Sequence, residues 1–385
     1  MKTLRRLEAA RPALAALPPA HLARVWSAAI AELRAPPAFS PAAALRDQLA
    51  AALAFSPAAL AAGLEVVLAS VAGPEALALF EKPSAAAPGP LLVLLAATPP
   101  GLAAQAVLPA LALRRPLLLK TASAEPHFAP LLLSLLAERE PILGEALAVT
   151  TWKGGDRANE DPLLAAAGRV IAYGGAEAMA ALAPRCRSFF GFGPKISLAI
   201  VGRDAEKAAV AKGLARDIAL LDQRGCLSVQ LVLAEGDGRE LAAALAAALE
   251  AEAELLPPGP AEAAALAELR LLREEAALHG RWVSPLPLRQ GTVLLEDPGA
   301  SLRPSPGGRL VRIYPLASLD QALPRLETWR GLLQGVALAG SAAEKLSENL
   351  RALGASRIAP PGQLQQASLA SWPNGGQPVL EIFGA

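Results

Sequence analysis

The chain has two cysteines in 385 residues, too few for a disulfide framework, so each must be read as a free thiol. Cys226 stands in the stretch Asp222-Gln223-Arg224-Gly225-Cys226-Leu227-Ser228, a short polar loop with an arginine two residues away. A helical pattern (Ala208 to Leu221) runs into this loop and an apolar, strand-like run (Val229 to Ala234) leaves it. A thiol at such a junction, beside a cation, can be held partly as thiolate, the nucleophilic form. Free cysteine is also among the residue types most often buried as a small apolar side chain, and local features leave both readings open. Cys186, in Pro184-Arg185-Cys186-Arg187, has cations on both sides but no glycine-containing junction, and reads as a structural or surface thiol.

Three further constellations carry potential chemistry. Ile171-Ala172-Tyr173-Gly174-Gly175 ends an apolar run and opens a helical one. Glycines there let a phosphate approach the exposed amides of a helix N-terminus, although the pattern lacks the full G-x-G-x-x-G spacing and an ordinary strand-to-helix turn would look the same. Thr151-Trp152-Lys153-Gly154-Gly155-Asp156 is a second glycine turn, and Leu117-Leu118-Leu119-Lys120-Thr121-Ala122-Ser123 places a lysine and two hydroxyls at the end of a third apolar run. The three histidines (His21, His127, His279) show no ligand spacing among themselves or with the cysteines, so no metal site is expected.

The elements that would position these residues follow from periodicity. Residues 1–80 read as alanine-rich helices punctuated by prolines. From Leu91 onward short apolar runs alternate with helical segments. Strands are expected at 91–96, 116–120, 147–152, 169–173 and 196–201, with helices at 102–113, 127–138, 160–167 and 176–183 between them. After Cys226 the alternation resumes, with strands at 229–234, 292–295, 309–314, 333–339 and 357–359 and helices at 239–253, 260–277, 319–327 and 342–353. Strands alternating with helices of this length predict parallel sheets built from crossover units. Lys120, the Trp152 turn and the Tyr173 turn then all fall at carboxyl ends of parallel strands, the edge where open α/β sheets bind ligands.

Composition narrows the function classes. Hydrophobic residues are 53% and charged residues 18%, which excludes a disordered chain. A net charge of +1 and the absence of a Lys/Arg cluster argue against nucleic acid as a partner. Leu91 to Leu113 is uncharged and long enough to span a bilayer, but Pro99-Pro100-Gly101 interrupts it. It reads as a buried strand and a buried helix, with no membrane span. The N-terminus lacks the apolar stretch of a secretory signal, and the expected compartment is the cytoplasm, where unpaired thiols persist.

Taken in order, these segments resemble the aldehyde dehydrogenase superfamily, and within it the fatty-acyl-CoA reductase family of bacterial bioluminescence operons. Arg115 through Pro126 is similar to that family's N-x-x-x-x-K-P-S-S-x-x-P, with Arg115 for the asparagine. Trp152-Lys153-Gly154-Gly155-Asp156 and Val170-Ile171-Ala172-Tyr173-Gly174-Gly175 resemble W-x-G-G-D and V-x-A-Y-G-G. Phe190-Gly191-Phe192-Gly193-Pro194-Lys195-Ile196-Ser197 resembles F-x-Y-G-x-K-x-S, with Phe192 for the tyrosine, and residues 222–228 resemble the D-Q-x-G-C-x-S cysteine loop. Arg357-Ile358-Ala359-Pro360-Pro361-Gly362 is a further, weaker match.

The resemblance implies an α/β, aldehyde-dehydrogenase-like fold: two parallel-sheet domains with a helical N-terminal segment. The domains would be 1–195 (helical N-terminus plus NADP-binding Rossmann-like domain), 196–350 (catalytic, carrying Cys226) and 351–385 (packing back on the first domain). It implies that Cys226 attacks an acyl-CoA or acyl-protein thioester and that NADPH, or NADH, reduces the acyl-cysteine to the aldehyde. Lys120, Ser123, Gly154, Gly174 and Gly175 would bind the cofactor. A homo-oligomer, with an acyl-transferring partner, is the assembly it suggests. Two positions depart from the pattern. Thr98 or Pro99 stands where an asparagine amide would stabilise the oxyanion, which makes Thr98 the candidate at that position; loss of one such donor costs about 100- to 1,000-fold in rate. Gly191 stands where hydrolytic relatives carry a glutamate base, which favours a reductase over an aldehyde oxidiser. A CoA-acylating short-chain aldehyde dehydrogenase, a non-catalytic scaffold of an acyl-transfer complex and an NADP-binding regulator are the competing readings.

Overall fold

A computed structural model describes residues 2–83 and 89–384. The N-terminal region is helical: α1 (Lys2–Ala16), α2 (Pro19–Arg34), α3 (Pro41–Leu53), α4 (Pro57–Ala69) and α5 (Pro74–Leu77). Four of these begin on proline, whose fixed φ suits the first helical turn and whose missing N–H would have no partner there. Pro19, Pro41, Pro57 and Pro74 therefore start helices, whereas Pro12 lies inside α1.

The chain divides into two compact units, Met1–Leu53, Gly63–Pro194 and Ser368–Ala385 in the first, Ala54–Ala62 and Lys195–Ala367 in the second. The segment 351–385 is thus divided, its part through Ala367 belonging to the second unit and Ser368–Ala385 to the first.

In the first unit the order is β1 (Leu91–Leu94), α6 (Leu102–Ala112), β2 (Leu117–Lys120), α7 (Phe128–Arg139), α8 (Pro141–Ala146), β3 (Leu147–Thr150), α9 (Arg157–Ala166), β4 (Arg169–Tyr173), α10 (Ala176–Leu182) and β5 (Phe189–Phe192). The strands form one parallel sheet in the order β3-β2-β1-β4-β5. All four residues of β1 are buried, as expected of a sheet covered on both faces, whose strands read as unbroken apolar runs. The uncharged segment from Leu91 to Leu113 is this strand, a turn at Gly101 (φ 81°) and α6. Among the described residues no single helix is long and apolar enough to cross a membrane. The sequence pattern does not reveal β5, because Gly191, Gly193 and Pro194 make the stretch look like a loop; parallel pairing with β4 makes it a strand.

The second unit contains β6 (Ile196–Val201), α11 (Lys207–Ala219), β7 (Val229–Glu235), α12 (Arg239–Leu255), α13 (Ala263–Leu278), β8 (Thr292–Leu295), β9 (Leu310–Leu316), α14 (Ala322–Leu326), β10 (Leu333–Ala339), α15 (Ser341–Glu344), α16 (Ser347–Ala352) and β11 (Arg357–Ala359). Its parallel sheet runs β11-β10-β6-β7-β9-β8. One core of this unit joins Leu198, Ile200, Leu231, Leu233, Tyr314 and Val336 from four strands.

Candidate active site

The first unit gathers the candidate cofactor residues on one edge of its sheet. Register pairs Leu94 at the end of β1 with Lys120 and with Ala172, and Lys120 with Thr150. The turns that carry Thr98, Ser123, Gly154, Gly174 and Gly175 therefore all leave the carboxyl edge. The crossovers from β1 through β2 to β3 step one way across the sheet, and the return to β4 lands on the other side of β1. That reversal opens a crevice between the β1 and β4 turns, the place where doubly wound sheets bind nucleotides. A Cβ built on Gly154, Gly155 or Gly175 would meet nothing within 4 Å, so these backbones face open space. Gly175 starts α10 with no side-chain cap on its amides.

A polar chain behind this edge orders the Trp152 turn. The Lys120 ammonium lies 5.8 Å from the centre of the Trp152 ring, and burial holds it below the ordinary lysine value while Glu160 acts in the opposite direction. Glu160, buried on α9, accepts from the Trp152 indole (3.1 Å), from the Gly155 amide (3.2 Å) and from Arg185 (3.0 Å). Asp156 caps α9 through the Asn159 amide. The tryptophan, the second glycine and the aspartate of the motif thus have local structural duties, and Glu160 joins the set. Only its placement four residues beyond a capping aspartate hints at it in sequence.

Arg115 and Gly191 are explained by packing. The Arg115 guanidinium is buried and donates to the carbonyls of Phe383 (2.8 Å) and Gly89 (3.0 Å), which ties the C-terminal turn to the start of β1. Burial lowers it to about 10. At Gly191 an added Cβ would lie 2.7 Å from the Met179 sulfur and 3.0 Å from the Phe189 ring. A side chain here would first have to displace Met179 and Phe189.

Cys226 belongs to the second unit, at the amino end of β7. Gly225 to Ser228 is a tight turn closed twice: the Ser228 amide donates to the Gly225 carbonyl (3.0 Å) and the Gly225 amide donates to Ser228 Oγ (3.2 Å). Cys226 and Leu227 form its tip. The Cys226 carbonyl accepts from Ser197 Oγ (2.7 Å), which in turn accepts from the Gly335 amide (3.0 Å). A side chain at Gly225 would strike Leu221 at 2.9 Å, Gln365 at 3.0 Å and Ser228 at 3.2 Å.

The approach to this turn is strained. The expected helix through Leu221 ends at Ala219, and Leu221, Asp222 and Gln223 take φ of 58°, 48° and 60°. Each left-handed non-glycine residue costs about 1–2 kcal/mol. Tertiary bonds hold them there. Asp222 accepts from Arg309 Nε (3.0 Å), closely from Arg309 Nη2, and from the Gly259 amide (3.1 Å). The Gln223 amide donates to the carbonyls of Val229 (2.9 Å) and Leu310 (2.8 Å) and accepts from Ser305 (3.2 Å).

The electrostatics correct one expectation. The Arg224 guanidinium lies 3.6 Å from the centre of the Phe55 ring and is not among the groups acting on the sulfur. Solvent reaches Cys226, yet the protein around its sulfur desolvates it and pushes the thiol up to about 11, against the opposing pull of the Cys226 and Leu227 amides. The residue is exposed, and desolvation holds its thiol above the ordinary cysteine value. Cys186, half-buried against the first sheet, donates to the Leu182 carbonyl (3.2 Å), and burial raises it too. His21 pairs with Glu140 (2.8 Å). Among the described residues no group of three His, Cys, Asp or Glu could hold a metal ion.

Comparison with known proteins places this architecture. The fold is that of the aldehyde dehydrogenases. An NAD-dependent benzaldehyde dehydrogenase from Corynebacterium glutamicum superposes with a TM-score of 0.72 at 14% identity, over 93% of this chain and 84% of that one. An NADP-dependent glyceraldehyde-3-phosphate dehydrogenase from Bacillus halodurans C-125 gives 0.74 at 12% identity, over 93% and 82%. Residues 80–380 match the family described as acyl-CoA reductase (LuxC), and the chain belongs to that family. A long-chain acyl-protein thioester reductase 2 from Photobacterium leiognathi is 27% identical over 223 residues, 56% of this chain and 46% of that relative. The chain therefore spans about half the length of that curated relative.

Proposed function

We propose that this protein reduces a fatty-acyl thioester, acyl-CoA or acyl-protein, to the aldehyde through an acyl-enzyme on Cys226. The observation that carries the reading is the strained loop, held by tertiary hydrogen bonds, that presents the exposed residue Cys226. Strain of this kind persists only where surrounding structure over-determines it, and it collects at functional sites. The family's description and the relative's name support acyl-CoA and acyl-protein donors respectively.

In the first half-reaction the Cys226 sulfur bonds to the acyl carbon, the thioester C–S bond breaks, and the carrier leaves as a thiol with the Cys226 proton. The Cys226 and Leu227 amides at the tip of the turn are suited to stabilise the oxyanion, as a preorganised pair costs no reorganisation. In the second half-reaction the acyl carbon gains a hydride, its bond to Cys226 breaks, the sulfur regains a proton and the aldehyde departs. A nicotinamide cofactor supplies that hydride when bound, a role supported by the NAD- and NADP-dependent enzymes that share the fold. Lys120, Ser123, Gly154, Gly174 and Gly175 are the residues suited to hold it, on the open glycine surface and the strand-end cation. Lys120 is the residue that would favour a 2′-phosphate, and so NADPH. Gly191 leaves no carboxylate base to direct water at the acyl-enzyme, which favours reduction over hydrolysis.

Mass spectrometry after mixing with acyl-CoAs of graded length tests the proposal. A single acyl adduct on Cys226 that disappears with NADPH, and is absent in Cys226→Ala, is the expected result. No adduct at any chain length would overturn it. It would favour the second reading, a non-catalytic scaffold, which draws on the protonated thiol and on Thr98-Pro99 in place of an oxyanion asparagine.

A further inference from the structure

We propose that Gln365 is a positioning residue for Cys226, clamping the cysteine turn to α11 through a side-chain amide bonded to both. The inference rests on the reading of Cys226 as nucleophile.

Gln365 Nε2 donates to the Asp217 carbonyl on α11 (3.0 Å) and to Ser228 Oγ (3.3 Å). The carbonyl can only accept, so the amide nitrogen must face it, and its second proton is what Ser228 receives. Ser228 is fully buried and also accepts from the Gly225 amide, one residue before the cysteine. The chain of contacts from α11 to the residue preceding the nucleophile is therefore three hydrogen bonds long. Gln365 Oε1 closes the other side, 3.0 Å from where a Gly225 Cβ would stand.

The segment that carries Gln365 is tied down at several points. A Cβ on Gly213 of α11 would lie 2.6 Å from the Pro361 backbone, so Pro361 seats directly on the helix. The Gly362 amide donates to Asp217 Oδ2 (2.6 Å). The Arg357 guanidinium gathers the carbonyls of Leu364 (2.6 Å), Gln363 (2.7 Å) and Gln366 (3.1 Å). Residues 357–366, whose Arg-Ile-Ala-Pro-Pro-Gly stretch has no role in the chemistry above, form a bracket whose product is the fixed amide of Gln365. Ser197 also anchors the cysteine carbonyl. Misplacing a reacting group by about 1 Å can cost about 100-fold.

The experiment uses the full chain with Gln365→Met, which keeps the volume and removes both donors. Carboxamidomethylation of Cys226 by iodoacetamide is followed by mass spectrometry from pH 6 to 11, beside thermal unfolding and reductase kinetics. The expected result is alkylation at pH 8 about tenfold faster than in the wild type, with the midpoint moving down toward that of a solvated thiol, and kcat about tenfold or more lower with KM little changed. A folded Gln365→Met protein with the wild-type alkylation profile overturns the proposal, even if its Tm has dropped. Should Gln365→Met fail to fold, Ser228→Ala breaks the same chain and is judged by the same criterion. Because alkylation needs no acyl donor, its outcome decides the positioning role even if no thioester acylates the wild type, a result that would count against the reductase reading alone.

Discussion

At the scale of single residues, Cys226 combines access with a strongly suppressed thiolate. With the thiol pushed up to about 11, the thiolate is on the order of one part in ten thousand at pH 7. Alkylation of Cys226 should therefore rise about tenfold per pH unit through the neutral and mildly alkaline range, bending only near 11. A plateau near pH 8.5 would show an ordinary thiol and contradict the burial argument. Thiolate must form before the sulfur can attack a thioester, and the departing carrier takes up that proton only after the acyl group has moved. Gly191 makes the complementary point: restoring a glutamate there would first require Met179 and Phe189 to move.

At the scale of elements, the left-handed turn between α11 and β7 depends on groups remote in sequence. Arg309 is buried, and its pairing with Asp222 spans 87 residues. Removing one partner of a buried pair leaves the other charged and unpaired, which costs about 3–5 kcal/mol. Asp222→Ala should therefore lower the unfolding free energy in denaturant titration by roughly that amount and abolish acylation of Cys226. A loss of acylation with stability unchanged would instead assign Asp222 a direct chemical part.

At the scale of the whole molecule, Asp217 makes stability depend on pH. Burial is the main cause that raises its carboxyl to about 7, against the Gly362 and Leu364 amides and Arg357 and Arg216, which favour the charged form. The unfolded chain returns it to an ordinary value near 3.8. Its contribution is fully present below that value and is lost as pH rises through about 7. The loss has a ceiling of about 4 kcal/mol. Asp217→Asn, which keeps an acceptor for Gly362, should flatten the fall in Tm between pH 5 and pH 8. An equal fall in both proteins would show that Asp217 is already ionised at pH 5.

Sequence alone determined the two alternating sheet-and-helix units, most strands to within two residues, and the family to which the chain belongs. These are local properties: strands buried on both faces are continuous apolar runs, and glycine turns at their ends leave a readable pattern. The cysteine loop was legible as a motif, but its mechanics were not. The three left-handed residues, the grip of Arg309 on Asp222, the bonds of Gln223 to two distant carbonyls and the bracket at Gln365 join positions up to 148 residues apart. The surroundings of the thiol were not legible in sequence for the same reason. Adjacency placed Arg224 beside the sulfur, whereas the tertiary structure turned that cation onto Phe55 and left desolvation to decide.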